Sequence, residues 1–166
     1  MVNDDLLKLS AELGAALKSR GWTLALAESC TGGWASQTVT AIAGSSNWFD
    51  RGFITYSNAA KIEMLGVTEN TLNQHGAVSE QTAREMAIGA VKNSRANISA
   101  AITGIAGPDG GTQEKPVGTV CFAWATTDGH IKTVTMHLSG DREEVRRVSV
   151  KTALEVLLQL TLNGDL

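Results

Sequence analysis

Thr23-Leu24-Ala25-Leu26-Ala27-Glu28-Ser29-Cys30-Thr31-Gly32-Gly33 is a short apolar run that breaks into polar residues and ends on a glycine pair. Residues 23–27 are short and apolar, as a buried strand is. Residues 31–41 then read as a helix that ends near Gly44. A strand that passes through a glycine-rich turn into a helix is the repeating unit of an α/β fold. The same turn sets two candidate nucleophiles, Ser29 and Cys30, side by side.

Working outward, the alternation continues. Leu6, Leu9, Leu13 and Leu17 fall at helical spacing, so an amphipathic helix spans about residues 4–19 and Gly21 stops it. Residues 48–56 are aromatic and β-branched, hence a strand. Short helices follow over 58–65, stopped by Gly66, and over 68–74. Ser79 is an N-cap for a helix running to about Lys92. Residues 98–103 and 117–125 are strands joined by a Gly-rich loop that holds both prolines, Pro108 and Pro116. After the turn at Asp128-Gly129, residues 130–138 form the last strand. A long helix runs from Asp141 to about Leu162. Asp141 with Glu144 is a capping box, and Val150, Leu154, Leu157 and Leu158 form its buried stripe. The sum is one α/β domain over residues 1–166, with about five strands and helices on both faces. The short link between the last two strands makes that pair antiparallel, so the sheet is mixed.

Composition narrows the classes. At 166 residues, 43% hydrophobic and 19% charged, the chain can bury a core like an ordinary globular protein. A net charge of −3 with no Lys/Arg block gives no footprint for nucleic acid. No apolar run nears the roughly 20 residues a membrane span needs. The acidic start, Met1-Val2-Asn3-Asp4-Asp5, does not read as a signal peptide. Cys30 and Cys121 then read as free thiols in a reducing cytoplasm. Neither they nor His75, His130 and His137 have zinc-like spacing, so no metal and no cofactor is expected.

A turn such as 29–33, placed before a helix, aims backbone N–H groups at one point, where an oxyanion is stabilised. Ser29 is thus a candidate nucleophile, with Cys30, Thr31, Gly32 and Gly33 around it. The plainer alternative makes Ser29 or Thr31 a helix cap. Cys30 is the rival nucleophile, but no histidine stands in a diagnostic setting beside it: His75 sits in a loop, and the others lie in or beside a strand. Neighbours on a strand point to opposite sides, so only one of Ser29 and Cys30 is expected to face a pocket. A serine needs a base, and Thr55-Tyr56-Ser57-Asn58-Ala59-Ala60-Lys61 supplies Tyr56 and Lys61. Lysine is a base only when neutral, which requires burial or nearby positive charge; the plainer alternative makes Lys61 a solvated helix residue and Tyr56 a strand-edge aromatic. The loop 104–111 lacks the spacing of a Walker A or a dinucleotide fingerprint; it is either a plain connection or a backbone wall of the pocket. In the last helix, Glu143 and Arg147 form a surface i,i+4 pair, whereas Arg142 and Arg146 are like charges at i,i+4 and hint at a bound anion.

These stretches, together with His75-Gly76-Ala77-Val78-Ser79, Lys115-Pro116-Val117-Gly118-Thr119-Val120 and Gly140-Asp141-Arg142, resemble in order the motifs of the CinA C-terminal domain family, over essentially the whole chain. The resemblance implies a three-layer α/β/α sandwich on a mixed sheet. It implies hydrolysis of the carboxamide of nicotinamide mononucleotide to nicotinate mononucleotide and ammonia by a serine–lysine dyad without metal. By the same resemblance Ser29 is the nucleophile, Lys61 the base and Tyr56 the residue that assists or orients them. Thr31, Thr103, Gly104 and Arg146 then fall at pocket-lining positions, and Arg142 or Arg146 becomes a candidate for the substrate phosphate. A cytoplasmic homodimer is the implied assembly. Longer members carry an added N-terminal domain linked to ADP-ribose pyrophosphatase activity, which is not expected of this chain. The alternatives are a non-enzymatic module linked to competence or DNA damage, and an amidase for another small anionic amide.

Overall fold

A computed structural model describes residues 4–164. Residues 1–3, part of the acidic start discussed above, lie outside the described residues, as do 165 and 166. Helix α1 (Asp4–Arg20) leads into β1 (Leu24–Glu28). Then come α2 (Trp34–Thr40), a short 3-10 turn (Ser45–Asn47) and β2 (Phe49–Ile54). Three helices follow: α3 (Asn58–Leu65), α4 (Glu69–His75) and α5 (Glu80–Lys92). The chain ends with β3 (Ile98–Gly104), β4 (Thr119–Thr126), β5 (Ile131–His137) and α6 (Arg142–Asn163). No helix among the described residues is long and apolar enough to cross a membrane.

The five strands form one mixed sheet in the order β2-β1-β3-β4-β5. β1 is parallel to β2 and β3, and β4 is antiparallel to both β3 and β5. Strand alternation sorts the residues into two cores. Leu24 and Leu26 of β1, Ile98 and Ile102 of β3, and Phe122 and Trp124 of β4 pack against the leucines of α1 and the stripe of α6. The opposite face is made of small residues, Ala25, Ala27, Ala101, Ala123 and Ala125, under α5 and Leu65 of α3. Helices therefore cover both faces, and the fold is a three-layer α/β/α sandwich. Small residues let α5 lie close: Ser99 Oγ donates to the Ala87 carbonyl at 2.7 Å.

Three details depart from the sequence reading. α2 begins at Trp34, three residues later than expected, because Gly32 and Gly33 take positive φ of 59° and 103°, a left-handed backbone that glycine alone adopts freely. Arg147 pairs with Glu144 and Asp5 rather than with Glu143. On α6, Val150, Leu154 and Leu157 are buried as expected, while Leu158 is half-buried beside them.

Candidate active site

β1 sits where the strand order reverses, since the chain leaves it for β2 on one side and returns to β3 on the other. Open α/β sheets bind ligands at the carboxyl ends of strands at such a point. Ser29 follows β1 directly. Its N–H donates to the Ile102 carbonyl at 3.0 Å, and the Glu28 carbonyl accepts from Thr55 N–H at 2.8 Å. The nucleophile candidate is thus pinned between both neighbouring strands.

Alternation continues past the strand. Ser29 falls on the side of Ala25 and Ala27, where Lys61 of α3 reaches it. Lys61 Nζ lies 3.0 Å from Ser29 Oγ and also donates to the carbonyls of Thr55 at 2.9 Å and Tyr56 at 3.3 Å. α3 is held in place by its cap, Ser57, whose hydroxyl accepts from Ala60 N–H. Lys61 is only 1% exposed, and among the described residues no carboxylate pairs with it. Burial penalises its ammonium form and lowers its pKa from the ordinary lysine value. A neutral amine is what a general base requires.

Cys30 falls in the opposite core, 7% exposed. Burial pushes its thiol up to about 11, so it is protonated at neutral pH and a poor nucleophile. His75 closes α4, His137 closes β5 and His130 stands at the tight turn between β4 and β5. His75 is therefore helical rather than in a loop.

A cavity of about 270 Å³ opens over the pair. Ser29, Tyr56, Lys61, Thr103, Gly104 and Arg142 line it, with Val78 and the loop 105–107 closing one wall. Cys30 borders it as well, so both neighbours reach the cavity where only one was expected, although only Ser29 meets Lys61. The Gly-rich loop is thus a backbone wall of the pocket. A larger cavity of about 660 Å³ lies beyond Val78, between α5 and the last two strands, and is lined by neither Ser29 nor Lys61.

Thr31, Gly32, Gly33 and Arg146 are not among the lining residues. The reason is a group to which the sequence reading gave no role. The carboxylate of Glu28, 1% exposed, turns away from Ser29 and accepts from Thr31 Oγ1 at 2.7 Å, from the N–H groups of Ala35 and Ser36 at 2.9 Å, and from Ser36 Oγ at 2.8 Å. It caps α2 from seven and eight residues away. The start of α2 is therefore filled by the protein's own carboxylate, and neither Ser29 nor Thr31 is its cap. Arg146 donates from Nε to the Cys30 carbonyl at 3.0 Å and from Nη2 to the Thr31 carbonyl at 3.1 Å, with its guanidinium over the Trp34 ring. Arg142 donates to the Gly107 carbonyl at 2.8 Å and to the Tyr56 hydroxyl at 3.2 Å. The two arginines do not face one anion; main-chain carbonyls explain the like-charged pair. Tyr56, a residue 62% exposed, meets Lys61 through its carbonyl, while its phenol oxygen accepts from Arg142 at the cavity mouth.

Fold and site together define an α/β protein with a serine–lysine pair at a strand end. Over residues 6–161 the chain matches the CinA C-terminal domain, and it belongs to that family. It is 57% identical over 159 residues to the nicotinamide-nucleotide amidohydrolase PncC of Escherichia coli K12, covering 96% of each chain. It is 55% identical to the PncC of Enterobacter agglomerans over 154 residues, 93% of this chain and 94% of that one. A crystal structure of the competence/damage inducible protein CihA from Agrobacterium tumefaciens superposes with a TM-score of 0.94 at 46% identity, covering 96% of this chain and 98% of that one.

Proposed function

We propose that this chain is a nicotinamide-nucleotide amidohydrolase that converts nicotinamide mononucleotide to nicotinate mononucleotide and ammonia. The observation that carries the reading is the contact between Ser29 Oγ and Lys61 Nζ at 3.0 Å. An ammonium has three protons and Lys61 has three acceptors. When the amine is neutral, the Thr55 and Tyr56 carbonyls keep its two protons and its lone pair is left facing Ser29.

The reaction is acyl transfer. Ser29 Oγ attacks the carboxamide carbon and its proton passes to Lys61. The oxyanion is held by N–H groups of the turn. Among the described residues that of Cys30, which borders the cavity, donates to no backbone carbonyl, whereas that of Gly32 is taken by the Ser29 carbonyl and that of Thr31 lies off the cavity. The C–N bond breaks as Lys61 returns the proton to the departing ammonia. Water then attacks the acyl-serine and gives a proton to Lys61; the ester bond to Oγ breaks, the acyl group leaves with the water's hydroxyl as nicotinate mononucleotide, and Lys61 returns the proton to Ser29 Oγ. Arg142, at the cavity mouth, is the group for the substrate phosphate. The reading extends to a metal-independent homodimer in the cytoplasm acting on a small mononucleotide.

The test is ammonia release by purified protein from nicotinamide mononucleotide, nicotinamide riboside, free nicotinamide and glutamine. The mononucleotide should be the best substrate. Release from glutamine alone, or from none of the four, overturns the assignment.

A further inference from the structure

We infer that Glu28 and Arg146 are positioning residues that clamp the nucleophile turn from two directions and set the peptide planes on which Ser29 stands. The inference rests on the serine-hydrolase reading above, and it assigns Arg146 away from substrate phosphate.

Arg146 holds two successive carbonyls, those of Cys30 and Thr31. A trans peptide unit is rigid and its N–H points opposite its carbonyl. Fixing the Cys30 carbonyl therefore fixes the Thr31 N–H, directed away from Arg146. Fixing the Thr31 carbonyl fixes the Gly32 N–H, which donates to the Ser29 carbonyl at 3.0 Å. That bond in turn fixes the Ser29 carbonyl, and with it the Cys30 N–H on the same peptide unit, the oxyanion donor that borders the cavity. A lysine, with a single point charge, cannot reproduce the guanidinium fork. The guanidinium also lies over the ring of Trp34, the first residue of α2, at 5.4 Å from its centre, a cation–π contact that favours this position.

Glu28 secures the other side. It precedes Ser29, and its carboxylate ties Thr31 of the turn to the first turn of α2 through four hydrogen bonds. The turn needs this help because Gly32 and Gly33 are its least restrained residues. Neither Glu28 nor Arg146 lines the cavity, so both act through the main chain.

Two readouts test the clamp. The first is the rate at which a serine-directed sulfonyl fluoride labels Ser29, followed by mass spectrometry and independent of the substrate's identity. The second is turnover of nicotinamide mononucleotide and of the riboside. In Arg146→Ala, labelling and both turnovers should fall together, by about 100-fold for a displacement near 1 Å. KM for the mononucleotide should stay within about twofold. Guanidinium at a sub-denaturing concentration should restore part of the loss, and Arg146→Lys should not. Glu28→Gln should slow labelling in the same way, because an amide turns donors toward the N–H groups it must accept from. If that variant does not fold, Arg146→Ala decides alone. Unchanged labelling in Arg146→Ala overturns the clamp. So does a raised KM for the mononucleotide with riboside turnover untouched, the signature of a phosphate contact. If the wild type releases no ammonia from the mononucleotide yet labelling still slows in the variants, the substrate assignment fails and the clamp stands.

Discussion

Replacing Lys61 by methionine keeps the length of the side chain and removes the amine. An ordinary lysine, with a pKa of 10.5, is neutral in only about one molecule in a thousand near pH 7.5. Each unit by which burial lowers that value therefore multiplies the competent fraction about tenfold. Loss of the base should cost at least the roughly 10²- to 10⁴-fold that general-base catalysis contributes. In the wild type, kcat/KM should rise with pH, about tenfold per unit, and level off below 10.5.

The same shift has a thermodynamic signature that needs no substrate. A lysine whose folded pKa lies below its unfolded value binds fewer protons folded than unfolded between the two. Stability therefore rises with pH across that window, and the deficit is fully present below it. The unfolding free energy of the wild type minus that of Lys61→Met should climb toward 10.5, with a limiting slope of about 1.4 kcal/mol per pH unit. Subtraction cancels groups that titrate there without interacting with Lys61; Cys30, which is coupled to it, is removed by making both measurements in a Cys30→Ala background. Denaturant unfolding at a series of pH values measures it. A flat difference from neutrality to 10.5 would mean that Lys61 keeps its ordinary pKa, and the general-base argument would be refuted.

Ser29→Ala should abolish ammonia release while Cys30→Ala leaves most of it; equal loss in both, or loss in the cysteine variant alone, reverses the nucleophile assignment. Arg142→Ala should raise KM for nicotinamide mononucleotide by roughly tenfold to a hundredfold with kcat little changed, and barely affect the riboside; an unchanged KM moves the phosphate elsewhere. Gly89→Ala should destabilise by about 1–3 kcal/mol, read as a lowered Tm, because a Cβ there would meet the Leu65 carbonyl oxygen at 1.9 Å. Light scattering at micromolar concentration should give twice the chain mass, and a monomer mass refutes the homodimer.

Much of the fold was legible because it follows from local pattern. The run 23–27 is β1 to within a residue, and the Asp128-Gly129 turn correctly makes β4 and β5 antiparallel. The start of α2 was not legible. Its carboxylate cap comes from Glu28, seven residues before Ala35, whereas capping patterns look three residues back. The partners of Arg142 and Arg146 were hidden for a related reason: apart from the Tyr56 hydroxyl, they are main-chain carbonyls, from residues 107 and 30–31, and any residue type carries one. The burial of Lys61 did leave a trace. Leu65, four residues on, shares its helix face and is buried, and a lysine above it on a core-facing stripe is out of place on a solvated surface.

The parity of β1 ties fold and chemistry together. Leu24, Leu26 and Glu28 share one face; Ala25, Ala27 and Ser29 share the other. A register slip of one residue would exchange the faces. The leucines would then lie on the alanine side, where α5 leaves no room for them. Glu28 would turn toward Lys61. A carboxylate beside that amine would raise its pKa and keep it charged, removing the proposed base as surely as a mutation. As the structure stands, the carboxylate is spent on four donors of the turn and α2, on the far face of the strand. Lys61 meets only neutral oxygens, from Ser29, Thr55 and Tyr56. The packing that excludes the wrong register also keeps the negative charge away from the amine that the proposed mechanism needs neutral.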